Sequence, residues 1–137
     1  MNRSRNHGFS LVETLVALSL GAIALAYGVP SYQTFIANTR MSSATNLLLA
    51  HISAARSTAI TRGLHVAVCA SADQATCSGT MSWETGWIVF TDTDGEPGTL
   101  DGADELLHSA QPQGGNLSFQ TESTYLRYSA LGSLENS

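Results

Sequence analysis

Glu13 is the side chain that most needs a chemical reason, because it is the single charge in an apolar run covering residues 9–29. An ionised carboxylate in hydrocarbon costs about 2.5 to 3.5 kcal/mol on insertion scales, so a cation held at the same depth would offset a real penalty. A cut between Gly8 and Phe9 would create that cation. The new α-amino group would stand four residues from Glu13, in its own chain or beside a neighbouring one. Assembly of such chains would then neutralise both charges. The blander reading places Glu13 one turn from the membrane edge, with its carboxylate reaching back to water.

Other residues offer less chemistry. Cys69 and Cys77 both lie beyond the apolar run, and in an oxidising compartment they are expected to pair. Closing so short a loop contributes about 2 to 3 kcal/mol. A C-x7-C pair without further cysteines or well-placed histidines is a poor zinc site. The acidic stretch 92–105 invites a calcium reading, with Asp92, Asp94 and Asp101 as ligands. Its spacing fails the helix-loop-helix consensus: if Asp92 opens the loop, Pro97 stands where glycine is required and Ala103 where a bidentate glutamate is required. A solvated hairpin tip without metal is favoured. His7, His51, His65 and His108 are scattered, with no i, i+4 pair, and surface or edge roles suffice for them. Trp83 and Trp87, four apart on an expected strand, share one face and read as core rather than as a stacking platform. There is no nucleophile elbow, phosphate loop or dinucleotide fingerprint, and the chain is not expected to be an enzyme or to hold a cofactor.

The elements that position these residues follow from the pattern. A helix over residues 9–30 spans roughly 30 Å, the thickness of a bilayer's hydrocarbon core. Arg3 and Arg5 precede it without an acid, which keeps the N-terminus cytoplasmic and sends the remainder outward. From 31 to 63 the pattern becomes a one-sided helix: Ala37, Met41, Ala44, Leu48, Ile52, Ala55 and Ala59 recur at spacings of three and four, and Gly63 is the stop. The stripe is mostly alanine, which lets a sheet approach closely. Strands are expected at 64–70, 83–90, 105–109, 117–120 and 124–130, separated by turn residues. The 137 residues therefore predict one α+β domain, 64–137, an antiparallel sheet laid on the second half of a long helix. The formal charge is −5, with six arginines, no lysine and eleven acids, so no basic field is available for nucleic acid.

The order Gly8-Phe9-Ser10-Leu11-Val12-Glu13, followed by the apolar helix and Pro30, resembles the class III leader and N-terminal helix of type IV pilins and type II secretion pseudopilins. The resemblance implies a leader at 1–8, removed after Gly8 by a prepilin peptidase that methylates Phe9. It also implies an assembly role for Glu13 and a helix-loosening role for Pro30. The second half, with Ala54 to Gly63, Val66-Ala67-Val68-Cys69, Cys77, Trp83, Gly86 to Phe90, Asp92 and Asp94, is similar to the GspH/FimT minor pilins and pseudopilins. Related domains usually run on for further strands after the segment matching 128–132, so the resemblance implies a sheet domain shortened at its C-terminus.

The expected function is that of a minor pilin or pseudopilin, a structural subunit of a type II secretion pseudopilus or type IV pilus. It would be anchored in the inner membrane with its domain in the periplasm, and its partners would be other pilins and the prepilin peptidase. Two alternatives stand beside it. FimT-type relatives can bind DNA in natural transformation, but here only Arg40, Arg56, Arg62 and Arg127 would remain after the leader, against eleven acids. Ala24-Leu25-Ala26 is a pattern that an ordinary signal peptidase could use, releasing a secreted β domain that begins at Tyr27.

Overall fold

The structure, a computed structural model, describes residues 10–93, 96–111 and 120–135. The chain divides into two units, Met1–Thr39 and Arg40–Ser137. Helix α1, Leu11–Arg62, contributes to both. Strands β1 (Val66–Ala70), β2 (Trp87–Thr91), β3 (Leu106–Ala110), β4 (Tyr125–Tyr128) and β5 (Leu134–Glu135) form one sheet in the order β3-β2-β1-β4-β5, every neighbouring pair antiparallel. The fold is α+β and pilin-like.

Within the second unit, α1 packs on one face of this sheet. Ala44, Ala55 and Ala59 are buried, with Leu48 half-buried beside them, as the spacing predicts, whereas Ala37 and Met41 at the start of the stripe are exposed. Small side chains bring the helix close to Val66, Val68, Ala70, Trp87, Val89 and Ala110. The helix stops where glycine takes over: Gly63 has a φ of 66°, and the amides of Gly63 and Leu64 both donate to the Ala59 carbonyl.

The central strands β1 and β2 are buried on both faces, which explains why they read as continuous apolar runs instead of alternating ones. Their second face carries Ala67, Cys69, Ile88 and Phe90, covered by Leu100, Cys77 and Tyr125. Two connections supply that cover: the β1–β2 loop, tied by a Cys69–Cys77 disulfide, and the β2–β3 loop, which brings in Leu100. Inside the first, Asp73 accepts from the amides of Ala75 and Thr76 and from the hydroxyls of Ser71 and Thr76. Those donors hold its carboxyl well below the usual carboxylate range.

The strand boundaries differ from expectation. Trp83 lies outside β2, which begins at Trp87, because Glu84, Thr85 and Gly86 make a turn. Both tryptophans are nevertheless fully buried in the helix-facing core. The β3 register skips Leu107 between the Val89–His108 and Phe90–Leu106 pairs, a bulge that lets Leu107 join the helix-facing core. The two-residue β5 was not foreseen, and the strand expected at 117–120 falls outside the described residues except for Gln120, which bridges to Ser82.

Gly86 fixes the entry to β2. Its φ is 134°, its carbonyl accepts from the Ser71 amide, and a Cβ there would lie 2.6 Å from the Ala110 carbonyl oxygen and 2.8 Å from that of Ser71. Both obstacles are backbone in neighbouring segments. Gly86→Ala is therefore expected to destabilise the domain by about 2 to 3 kcal/mol, read as a lower unfolding midpoint in denaturant. An unchanged midpoint would refute the steric account.

Candidate assembly and partner surfaces

Glu13 sits in the first turn of α1, and every residue from Ser10 to Phe35 is exposed within the chain. Leu11, Val12, Leu15, Val16, Leu18, Leu20, Ile23 and Leu25 all present apolar surface. A helix that is apolar all round has to be covered by lipid or by other helices. The described part of this run is long and apolar enough to cross a membrane. Two of its hydroxyls are satisfied within the helix: Thr14 donates to the Ser10 carbonyl and Ser19 to that of Val16. They can enter hydrocarbon cheaply. Glu13 is different, since no donor is paired with its carboxylate among the described residues. Gly8 and Phe9, the expected cleavage and methylation positions, lie outside those residues. Pro30 is inside α1, which continues through it; without an N–H, residue 30 cannot bond the Ala26 carbonyl.

On the sheet domain, Asp92, Asp101 and Asp104 of the 92–105 stretch build the loop itself. Asp92 is 1% exposed, its Oδ2 accepts from the Gly98 amide at 2.9 Å, and Arg127 Nε lies 2.8 Å from the same oxygen. That approach is a charge contact rather than an aligned hydrogen bond. Arg127 also donates from Nη2 to the Asp92 carbonyl at 3.2 Å. Asp101 accepts from the Glu96 amide. Asp104 accepts from the amides of Thr93 and Asp101 and from the Thr93 hydroxyl. The loop closes over Tyr125, whose ring occupies the place a side chain at Gly98 would need.

The calcium reading loses Asp92, whose carboxylate is committed to Arg127 and Gly98. Asp101 is turned to its own loop, and Asp94 lies outside the described residues. Among the described residues no three metal-ligating side chains converge. Two of the arginines that phosphate would need are in ion pairs: Arg62 lies 2.6 Å from Glu105, and Arg127 is shared between Asp92 and Glu135. Neither site gathers positive charge.

One grouping was missed in the sequence. His51 of α1 and His108 of β3 stack with ring centroids 5.1 Å apart, and the Trp87 indole N–H donates to His51 Nδ1 at 3.0 Å. Fifty-seven positions separate the histidines in the chain. Only the packing of β3 beside α1 brings them together, so periodicity could not have shown it.

Two family models match the chain. Type II transport protein GspH covers residues 44–137, the helix half and sheet described above. The prokaryotic N-terminal methylation motif covers residues 3–28, with Glu13 and the apolar helix. No curated relative and no solved structure matches. With the first match spanning more than half the sequence and the second lying on the exposed apolar helix, the chain belongs to the type II transport protein GspH family, as a minor pseudopilin or pilin subunit of secretion or pilus assembly.

Proposed function

We propose that the chain is made as an inner-membrane prepilin, cut after Gly8 and methylated on Phe9, and that it joins a filament through residues 9–30. The observation that carries this reading is Glu13: one carboxylate without a described donor, on an exposed apolar helix where the neighbouring Thr14 and Ser19 hydroxyls bond their own backbone. A free α-amino group at Phe9 supplies the missing cation at the same depth. The helix is held in the bilayer with its N-terminus cytoplasmic until assembly, when the helices of other pilins replace lipid around it. Gly28 and Pro30 weaken the backbone ladder where the membrane segment ends, which lets the helix adjust on leaving the bilayer. The sheet domain lies on the far side of the membrane, where the Cys69–Cys77 disulfide is stable, and it presents the surface that distinguishes this subunit from others. Its work is packing and contact; no catalytic grouping is required.

Mass spectrometry of the mature N-terminal peptide tests this, in cells with and without the prepilin peptidase. N-methylated Phe9, lost when the peptidase is absent, is the expected result. A mature N-terminus at Tyr27 or an intact Met1 would remove the assembly mechanism and leave an exported or anchored sheet domain.

A further inference from the structure

The histidine pair joins the edge strand β3 to α1 through a contact whose geometry depends on protonation. His51 Nδ1 accepts the Trp87 indole proton at 3.0 Å, so the ring is neutral with its own proton on Nε2. His108 stacks on the same ring, the two planes 15° apart. Near-parallel stacked rings cannot both direct lone pairs at one ion, so this is not a chelating pair. We propose that His51, His108 and Trp87 form a proton-sensitive clasp that holds β3 against the helix when His51 is neutral and loosens that seam when His51 takes up a proton.

The chemistry is local. Protonation turns Nδ1 from acceptor to donor, so the Trp87 indole N–H loses its partner while remaining buried. It also sets a positive charge against the stacked His108 ring. His108 is the titratable group facing His51 from β3; from β2 it meets the uncharged Trp87, and on α1 the residues one turn away are Leu47, Leu48, Ala54 and Ala55. The same helix and the start of the same strand segment also carry the Arg62–Glu105 pair, three positions before His108 on the strand side. Burial, and secondarily His108, push the His51 pKa below its ordinary value. The sign follows. The contribution is complete above the ordinary histidine range, near pH 6.5, and is lost as pH falls below it through the folded value, because the unfolded chain takes the proton that folded His51 resists.

The test uses the full chain in detergent micelles and follows the tryptophan indole N–H resonances from about pH 8 to about pH 5. The chain has two tryptophans, and His51→Gln, which keeps an acceptor but does not titrate, identifies the Trp87 signal by moving it. The expected result is a Trp87 indole signal that titrates with a midpoint below the ordinary histidine value. His108→Asn, an exposed substitution, should raise that midpoint, and His51→Gln should abolish it. The difference in melting temperature between the wild type and His51→Gln should also change in favour of the variant as pH falls. A Trp87 signal that stays flat across the range, or a midpoint that His108→Asn leaves unmoved, would overturn the clasp.

Discussion

Arg127→Leu is expected to cost the sheet domain about 3 to 5 kcal/mol, the usual loss when one partner of a buried ion pair is removed and the other stays charged. The size follows from Asp92. Its carboxylate is 1% exposed, and among the described residues the Gly98 amide is the one donor that would remain to solvate it. Arg127 is itself 20% exposed and also touches Glu135 at 3.4 Å, but that outer contact is exposed on the glutamate side and contributes little. For a domain of roughly a hundred residues the loss corresponds to a fall in melting temperature of about 15 °C or more, measured by circular dichroism on the full chain in detergent. The loop should respond with it. Asp92 anchors Gly98 against Tyr125, so loss of the pair also uncovers Phe90 and Ala67 on that face.

A second variant separates charge from packing. Asp92→Asn combined with Arg127→Leu keeps an acceptor for the Gly98 amide and removes both charges, and it should recover most of the loss. If the double variant is as unstable as Arg127→Leu alone, the arginine acts through the apolar stem it lays across the sheet. A single Arg127→Leu variant within about 0.5 kcal/mol of wild type would reject the ion-pair account outright.

What the sequence disclosed and what it withheld divide along the range of the interactions. The alanine stripe from Ala44 to Ala59 was legible because helix packing leaves a period of 3.6 in the chain itself. The strands β1 and β2 were legible as apolar runs because both their faces are buried. Strand ends were less so: Trp83 has the composition of a strand residue, but the turn through Gly86 takes it out of the ladder while leaving it in the core. The Asp92–Arg127 pair could not be read at all, since the charges stand 35 positions apart and meet only through the placement of β4 beside β1. Without that partner, the acids of the loop resembled an ion site; in the structure Asp92, Asp101 and Asp104 are acceptors for the loop's own backbone. The His51–His108 stack was hidden for the same reason.

Glu13→Ala is expected to leave membrane insertion intact and to abolish most incorporation into filaments. The one negative charge acts in opposite directions in the bilayer and in the filament. In the bilayer the carboxylate opposes insertion by about 2.5 to 3.5 kcal/mol, so its removal makes the anchor more apolar and harms nothing there. In the filament, on the assembly reading proposed above, the same carboxylate neutralises an α-amino group in a low-dielectric bundle of helices. Taking it away leaves that amine buried and unpaired, at a cost of about 3 to 5 kcal/mol. Each 1.4 kcal/mol is a factor of ten, so the filament-bound fraction should fall by about a hundredfold or more. Immunoblots of membrane and sheared-filament fractions read both quantities from one culture, and Glu13→Gln distinguishes charge from shape, since it keeps the volume and a hydrogen-bond acceptor. Loss of both Ala and Gln variants from filaments with undiminished membrane signal would support charge pairing. Normal incorporation of Glu13→Ala would sink it, and disappearance of the variant from the membrane as well would mean that Glu13 serves the stability of the anchor rather than the meeting of subunits.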